Sequence, residues 1–340
     1  MNLPKLPKEL KIHSYQKEIE KQIVSKLMQN KTLSQEEYIS YINITSFHIK
    51  LKKFLRDLNF KDLTKKEIHV LSKYIKDIFY FMPENTSPLE INKLYRLVVN
   101  KNIHGSNGSI EHTKFLTYPP DHIVRKNGKY NRANSPFRNV FYGSESIPTA
   151  VFELKPKPGD KVTLSEWSPL KTNLFIMYFI FHEKVISGTS RVSSIIKAKH
   201  DEHVKQFNPM LKDFFSAYTE TLGYEFSKPV NHHLEYLVSA ILSDRIISND
   251  IKYHNKIDGI IFPSVNNNFN SHNIAMKKNV IRNRFELSKV SEFIVSETYY
   301  ESVYKDQLSQ DPLQEELLEA HSRRDGDIIG NKIKWQNKFY

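Results

Sequence analysis

The sequence predicts an α+β protein: a mixed β core with helices, preceded by an α-helical N-terminal domain. Three observations predict it. Capping signatures and apolar residues at helical spacing dominate before residue 88. After it, short β-branched and aromatic runs alternate with helical stretches and loops. Glycine is scarce, 10 in 340 residues, and neither GxGxxG nor GxxxxGK[ST] occurs, which argues against a glycine-rich dinucleotide cradle or P-loop.

The helical reading begins at about Ile12. Ser34-Gln35-Glu36-Glu37 and Thr64-Lys65-Lys66-Glu67 each place a hydroxyl three residues before a carboxylate, the form of a capping box. Behind the second, Ile68, Leu71, Ile75 and Ile78 recur on one helical face. Met82 to Pro88 then reads as a linker. Strands are expected at Leu94–Val99, Val140–Tyr142, Leu174–Phe181 and Gly259–Phe262, and helices at Thr149–Leu154, His203–Leu222 and His232–Ile247. Asn266 to Asn270 reads as a mobile polar loop, and Gln310 to Tyr340 as a charged helix with an extended tail. The boundaries are therefore 1–88 for a helical regulatory or interaction domain, 89–297 for the α+β domain and 298–340 for the tail.

Composition excludes several classes. There is no cysteine, so disulfides, thiolate catalysis and Cys-based zinc sites are out. His232-His233-Leu234-Glu235 lacks the HExxH form, and adjacent histidines diverge on a helix, so a capping or surface role is expected and no metal site. The N-terminus has no apolar stretch of signal-peptide form, and Leu174 to Phe181 is too short to span a bilayer. A cytoplasmic protein with no membrane partner is expected. The formal net charge of +12 favours polyanionic partners, although lysines on solvated helix faces give the same total.

The text that carries chemistry is scattered. Arg96 lies in Leu94-Tyr95-Arg96-Leu97. Arg132-Ala133-Asn134 lies in a basic loop, Tyr142-Gly143-Ser144 at a strand end, and Ala150-Val151-Phe152-Glu153 on a helix. Asp258-Gly259-Ile260-Ile261-Phe262-Pro263-Ser264 ends a late strand and is followed by Asn273-Ile274-Ala275. In this order the elements resemble the RES-domain family, named for an Arg, a Glu and a Ser, whose members include NAD-degrading bacterial toxins. The resemblance covers about Leu89 to Val295. It implies a fold similar to the ADP-ribosyltransferases, with NAD as substrate, no required cofactor, and phosphate as an optional co-substrate.

The resemblance also implies roles that chemistry can rationalise. Guanidinium groups at Arg96 and Arg132 suit the pyrophosphate or ribose region. Tyr142 can stack on nicotinamide, with Asn134 and Ser144 as further binding residues. Cleavage of the nicotinamide–ribose bond moves positive charge onto an oxocarbenium-like ribose. A carboxylate at Glu153 interacts more strongly as that charge develops. Ser264 can hold the nicotinamide amide or a catalytic hydrogen bond. The expected catalytic set is Glu153, Tyr142, Arg96 and Ser264.

Three functions follow for comparison. The first is an NAD glycohydrolase or phosphorylase acting as a toxin or defence effector. The second is an ADP-ribosyltransferase modifying a protein or nucleic acid. The position two residues before Glu153, where many transferases carry an acceptor-holding carboxylate or glutamine, is Val151 and leans towards hydrolysis. The third is a nucleic-acid-binding module built on lysines interleaved with Phe54, Phe60, Tyr74 and Phe79, which amphipathic packing explains equally well. The resemblance further implies an inhibitory antitoxin or regulatory protein, for which the N-terminal helices are the expected docking element.

Overall fold

A computed structural model describes residues 14–29, 31–79, 85–182, 191–206, 209–248, 257–266, 269, 271–298 and 318–336. The chain divides into two compact units. One comprises Met1–Asn85, Lys129–Ser135 and Phe179–His254; the other comprises Thr86–Gly128, Pro136–Tyr178 and Asn255–Tyr340.

The first unit is helical. Its N-terminal helices are α1 (Ser14–Met28), α2 (Gln35–Asp57) and α3 (Lys65–Ile78). Both expected capping boxes close: the Glu37 N–H donates to Ser34 Oγ at 3.3 Å while the Ser34 N–H donates to Glu37 Oε2 at 2.9 Å. Thr64 and Glu67 exchange the same pair of bonds. These satisfy donors that a helix start otherwise leaves unpaired. Leu71, Ile75 and Ile78 are buried as their spacing requires, and Ile68 is half-buried.

Later helices of this unit lie at Arg191–Gln206, Pro209–Ser227 and Leu237–Ser248. The single helix expected over His203–Leu222 is thus two. Pro209 opens the second, where its missing N–H costs nothing and its ring disfavours helix in the preceding residue. Phe60 and Phe79 are buried, Phe79 edge-on to Tyr218 at 5.2 Å. Phe54 and Tyr74, the other two aromatics of that lysine-interleaved set, are half-buried.

The second unit is built on a ten-stranded sheet. Its strands are β1 (Thr86–Glu90), β2 (Leu94–Val99), β3 (Phe141–Ser144), β4 (Lys161–Pro169), β5 (Leu174–Phe179), β6 (Gly259–Pro263), β7 (His272–Met276), β8 (Phe285–Thr298), β9 (Leu318–Ile329) and β10 (Lys332–Trp335). They lie in the order β1-β5-β6-β7-β3-β2-β4-β8-β9-β10, so the α+β class holds. The four expected strands appear as β2, β3, β5 and β6. The helix expected at Thr149–Leu154 spans Ile147–Leu154. Its Val151 and Phe152 pack with Leu97 and Val99 of β2, Val162 of β4 and Val295 of β8. Buried apolar faces shared by a short helix and three strands fix that helix against the sheet.

Two expectations are corrected. The linker reading of Met82 to Pro88 fails in its second half, because Thr86–Glu90 pairs antiparallel with β5. Pro88 is tolerated there because β1 is an edge strand, where a missing ladder donor faces no neighbour. The C-terminal tail is a hairpin over β9 and β10, turned at Gly330 (φ 61°) and Asn331. The helix expected from Gln310 lies largely outside the described residues, as does most of the Asn266–Asn270 loop. The hairpin is held by Glu292, a buried carboxylate on β8. Its Oε1 accepts from Arg324 at 3.0 and 2.8 Å and from Ser109 Oγ at 3.0 Å, and its Oε2 accepts from Asn100 Nδ2 at 3.0 Å. A buried charge with both oxygens satisfied by a fixed cation and neutral donors ties β8, β9 and the loop after β2 together.

His272 on β7 is buried, its Nε2 enclosed without a hydrogen-bond partner. Burial pushes its imidazole down to about 4 from an ordinary 6.5. The folded-state value is the depressed one, so its contribution to stability is complete above about 6.5 and is lost as pH falls from there towards 4. The loss amounts to roughly 3 kcal/mol at most. Calorimetric melts between pH 7.5 and pH 4 are expected to show this decline, and it should shrink in His272→Leu; an equal decline in both proteins would show that another group drives it.

Candidate active site

The expected catalytic residues converge within the sheet unit around Glu153. The carboxylate leaves the last turn of the Ile147–Leu154 helix, whose N-cap Ser146 accepts from the Thr149 N–H and whose first turn carries Pro148. Core packing of Val151 and Phe152 aims the helix, and the half-buried Glu153 meets donors from three places in the sheet. Ser264 Oγ, just past β6, donates to Oε1 at 2.6 Å. Asn273 Nδ2, on β7, donates to the same oxygen at 2.8 Å. Tyr142 Oη, on β3, donates to Oε2 at 3.4 Å. β6, β7 and β3 are consecutive in the sheet, which makes this convergence possible.

Arg96 stands one strand further, on β2. Its Nη1 donates to the Tyr142 carbonyl at 2.9 Å and its guanidinium lies 5.7 Å from the Phe141 ring centre. Part of the residue remains exposed, yet its Nε is enclosed and without a hydrogen-bond partner. Desolvation draws the group down to about 10, which leaves it charged at neutral pH. No ion pair to Arg96 occurs among the described residues. A cation held at a sheet face with no fixed counter-ion is suited to an incoming anion.

Ser144 is buried, and its Oγ donates to the Ser146 carbonyl at 2.6 Å, so it shapes the turn between β3 and the helix. Gly143 has no room for a side chain: a Cβ there would lie 2.8 Å from the Phe141 ring and 2.9 Å from the Tyr95 carbonyl. The late motif is also partly scaffold. Asp258 Oδ2 accepts from the Ile176 N–H and from Arg284 Nη1, both at 2.9 Å, joining β5 to the entrance of β6. A Cβ on Gly259 would lie 2.6 Å from the Ala275 carbonyl of β7.

Arg132 and Asn134 belong to the helical unit. Arg132 is buried, and its guanidinium donates to the carbonyls of Phe226 at 2.6 Å and Lys228 at 3.2 Å, with the Tyr236 ring centre 5.1 Å away. These carbonyls end the Pro209–Ser227 helix, where a cation complements the helix dipole. Nearby, Glu225 is buried against Lys228 at 2.7 Å, and burial pushes its carboxyl up despite that partner. Asn134 closes a tight turn by exchanging backbone bonds with Asn131 at 2.9 and 3.1 Å. His232 serves as an N-cap, its Nδ1 accepting from the Leu234 N–H at 3.4 Å. Among the described residues no cluster of three His, Asp or Glu is placed to hold a metal ion.

Asn273 is the site residue that the motif reading passed over, although it lies beside the late element. All five residues of β7 are buried, so no alternation marked a face; in register Asn273 lies opposite Phe262 of β6 and Ser144 of β3, between His272 and Ile274. Without the neighbouring strands' order, nothing set that face towards Glu153.

Fold and site together define an α+β protein whose helix-borne carboxylate is gripped by sheet donors near an arginine that has no ion pair among the described residues. The family model described as the RES domain matches residues 103–290, and the chain belongs to the RES-domain family. The matched stretch contains Tyr142, Glu153, Ser264 and Asn273 and begins just after Arg96. No curated protein and no solved structure matches the chain. No helix among the described residues is long and apolar enough to cross a membrane.

The Arg132 contacts yield a test that needs no nucleotide. Arg132→Ala is expected to cost roughly 2–4 kcal/mol, since it strands two buried carbonyls and the neighbouring Glu225. Calorimetry on the free protein reads this directly; an unaltered melting temperature would mean that the arginine is not a fastener of its own unit.

Proposed function

We propose that this protein cleaves NAD at its nicotinamide–ribose bond, as a glycohydrolase that uses water or a phosphorylase that uses phosphate. The RES-domain family is associated with NAD-processing enzymes. The observation that carries the reading is the three-donor grip on Glu153, by Ser264, Asn273 and Tyr142, which aims a negative charge without neutralising it.

In this reading the bond's electron pair leaves with the pyridine nitrogen, giving neutral nicotinamide, and the ribose C1′ becomes oxocarbenium-like. Glu153 lies by the ribose and stabilises that cation more strongly than the ground state. Water or phosphate then adds at C1′; in hydrolysis the surplus proton passes to solvent. No general acid is needed, because the leaving group departs uncharged. Tyr142 offers an aromatic face to nicotinamide, and Ser264 keeps the carboxylate in place. Arg96, without a fixed counter-ion, takes a phosphate oxygen. Arg132 has its guanidinium engaged with carbonyls of its own unit, so Arg96 carries the anion-binding part of the proposal. Transfer of ADP-ribose to a macromolecule is the second reading. It is less favoured because Val151, where an acceptor-holding side chain would stand, is buried in the apolar cluster under the helix.

Purified protein is expected to release nicotinamide from NAD with no macromolecular acceptor present. Glu153→Gln should lower turnover at least roughly a hundredfold, as for removal of one electrostatic partner of a transition state. Chromatography of the products with and without phosphate separates ADP-ribose from its 1-phosphate. A folded Glu153→Gln protein with wild-type turnover would end this assignment.

A further inference from the structure

Helix α2 buries Tyr41, His48, Leu51 and Leu55. On its opposite side it carries an apolar stripe that none of the described residues covers: Ile39 is 53% exposed, Ile42 48% and Ile49 61%, with Tyr38 at 48% alongside. Ile39, Ile42, Ser46 and Ile49 follow 3-4-3 spacing, which keeps them on one line of the helix as in a coiled-coil seam. An exposed contiguous stripe of this kind marks an interaction surface. The flanks of the stripe are polarised. Glu36 lies on one flank in the first turn, and Lys50 on the same flank two heptads later. Both are exposed, and neither side chain makes a hydrogen bond or ion pair among the described residues.

We propose that this face binds a second copy of the chain, α2 against α2, antiparallel about a two-fold axis. In that arrangement Ile39 packs on the partner's Ile49, Ile42 on the partner's Ser46, and each contact recurs by symmetry. The small Ser46 lets the helices approach near the centre of the seam. The same register sets Glu36 beside the partner's Lys50 at both ends, giving two charge pairs to residues that have none among the described residues of one chain. A parallel pairing would leave Glu36 and Lys50 at opposite ends of the seam. Self-complementary charge around a self-complementary apolar line selects a second copy, because each subunit supplies both halves of the match. The proposal is independent of the enzymatic reading.

Sedimentation or light scattering of the full chain over a concentration series tests it. The mass is expected to approach twice the 40.0 kDa of one chain at the upper end. Ile42→Glu, at an exposed position, is expected to hold the mass at one chain throughout while the melting temperature of the dilute protein stays unchanged. Glu36→Lys and Lys50→Glu should each weaken dimerisation, and the double variant should recover it. Orientation is read by disulfide trapping, since the chain has no cysteine: Ile39→Cys mixed with Ile49→Cys should give cross-linked heterodimer in excess of either homodimer. A single-chain mass at every concentration, a dimer indifferent to Ile42→Glu, or absence of recovery in the double variant would each overturn the proposal.

Discussion

The half-buried carboxylate of Glu153 is the point on which three strands of the sheet unit converge, through hydrogen bonds from Ser264, Asn273 and Tyr142. Its partners come from β3, β7 and the end of β6; Tyr142 lies 11 residues away in the chain, whereas Ser264 and Asn273 lie 111 and 120 residues away. They meet because β6, β7 and β3 are neighbours in the sheet and because the short helix bearing Glu153 is pinned by its apolar side. A slip of one residue on β7 would turn Asn273 to the opposite face and bring His272 or Ile274 in its place. The close contact of Gly259 with the Ala275 carbonyl guards against such slippage, because β6 and β7 approach too tightly there for a side chain.

Around that carboxylate the charges are kept apart. Arg96 and Glu153 both engage Tyr142, but through different atoms: the arginine takes the backbone carbonyl and the carboxylate takes the phenol. An Arg–Glu ion pair would satisfy both groups and spend their fields on each other. Among the described residues, interposing Tyr142 leaves a cation without an ion-pair partner and an anion held by neutral donors. Under the proposed function, a substrate with phosphates at one end and a pyridinium-linked ribose at the other would be met by both signs at once. The cost is desolvation of Arg96, visible in its lowered proton affinity.

Much of this was legible in the chain because local rules suffice for it. Capping boxes at Ser34 and Thr64, the apolar spacing of Leu71, Ile75 and Ile78, and the β-branched runs of β2 and β5 each state their structure within a few residues. What escaped was set by distant partners. Thr86–Pro88, the start of β1, reads as part of a linker because Pro88 breaks most strands, and its edge position in the sheet is what admits it. The β9–β10 hairpin reads as a helix or tail because its Arg324 and Asp325 look like a solvated charge run. Arg324 instead reaches the buried Glu292 across the strand pair, a match between residues that no window of sequence contains. Asn273 escaped for the same reason.

The motif residues themselves divide by what they touch, and this division explains why a scattered signature can mark a family. Asp258, Gly143, Gly259 and Ser144 bond to backbone or admit close backbone approach; they contribute the geometry. Tyr142, Glu153 and Ser264 end on one another, and Arg96 brings a positive charge to the Tyr142 carbonyl beside them. Neither set works alone. A carboxylate gripped by three donors needs those donors placed within tenths of an ångström, and a strand interior that tolerates no Cβ is the means of placing them. Site and scaffold are therefore constrained together, so a change at Gly259, which makes no bond to Glu153, would act on that carboxylate through β7 and Asn273.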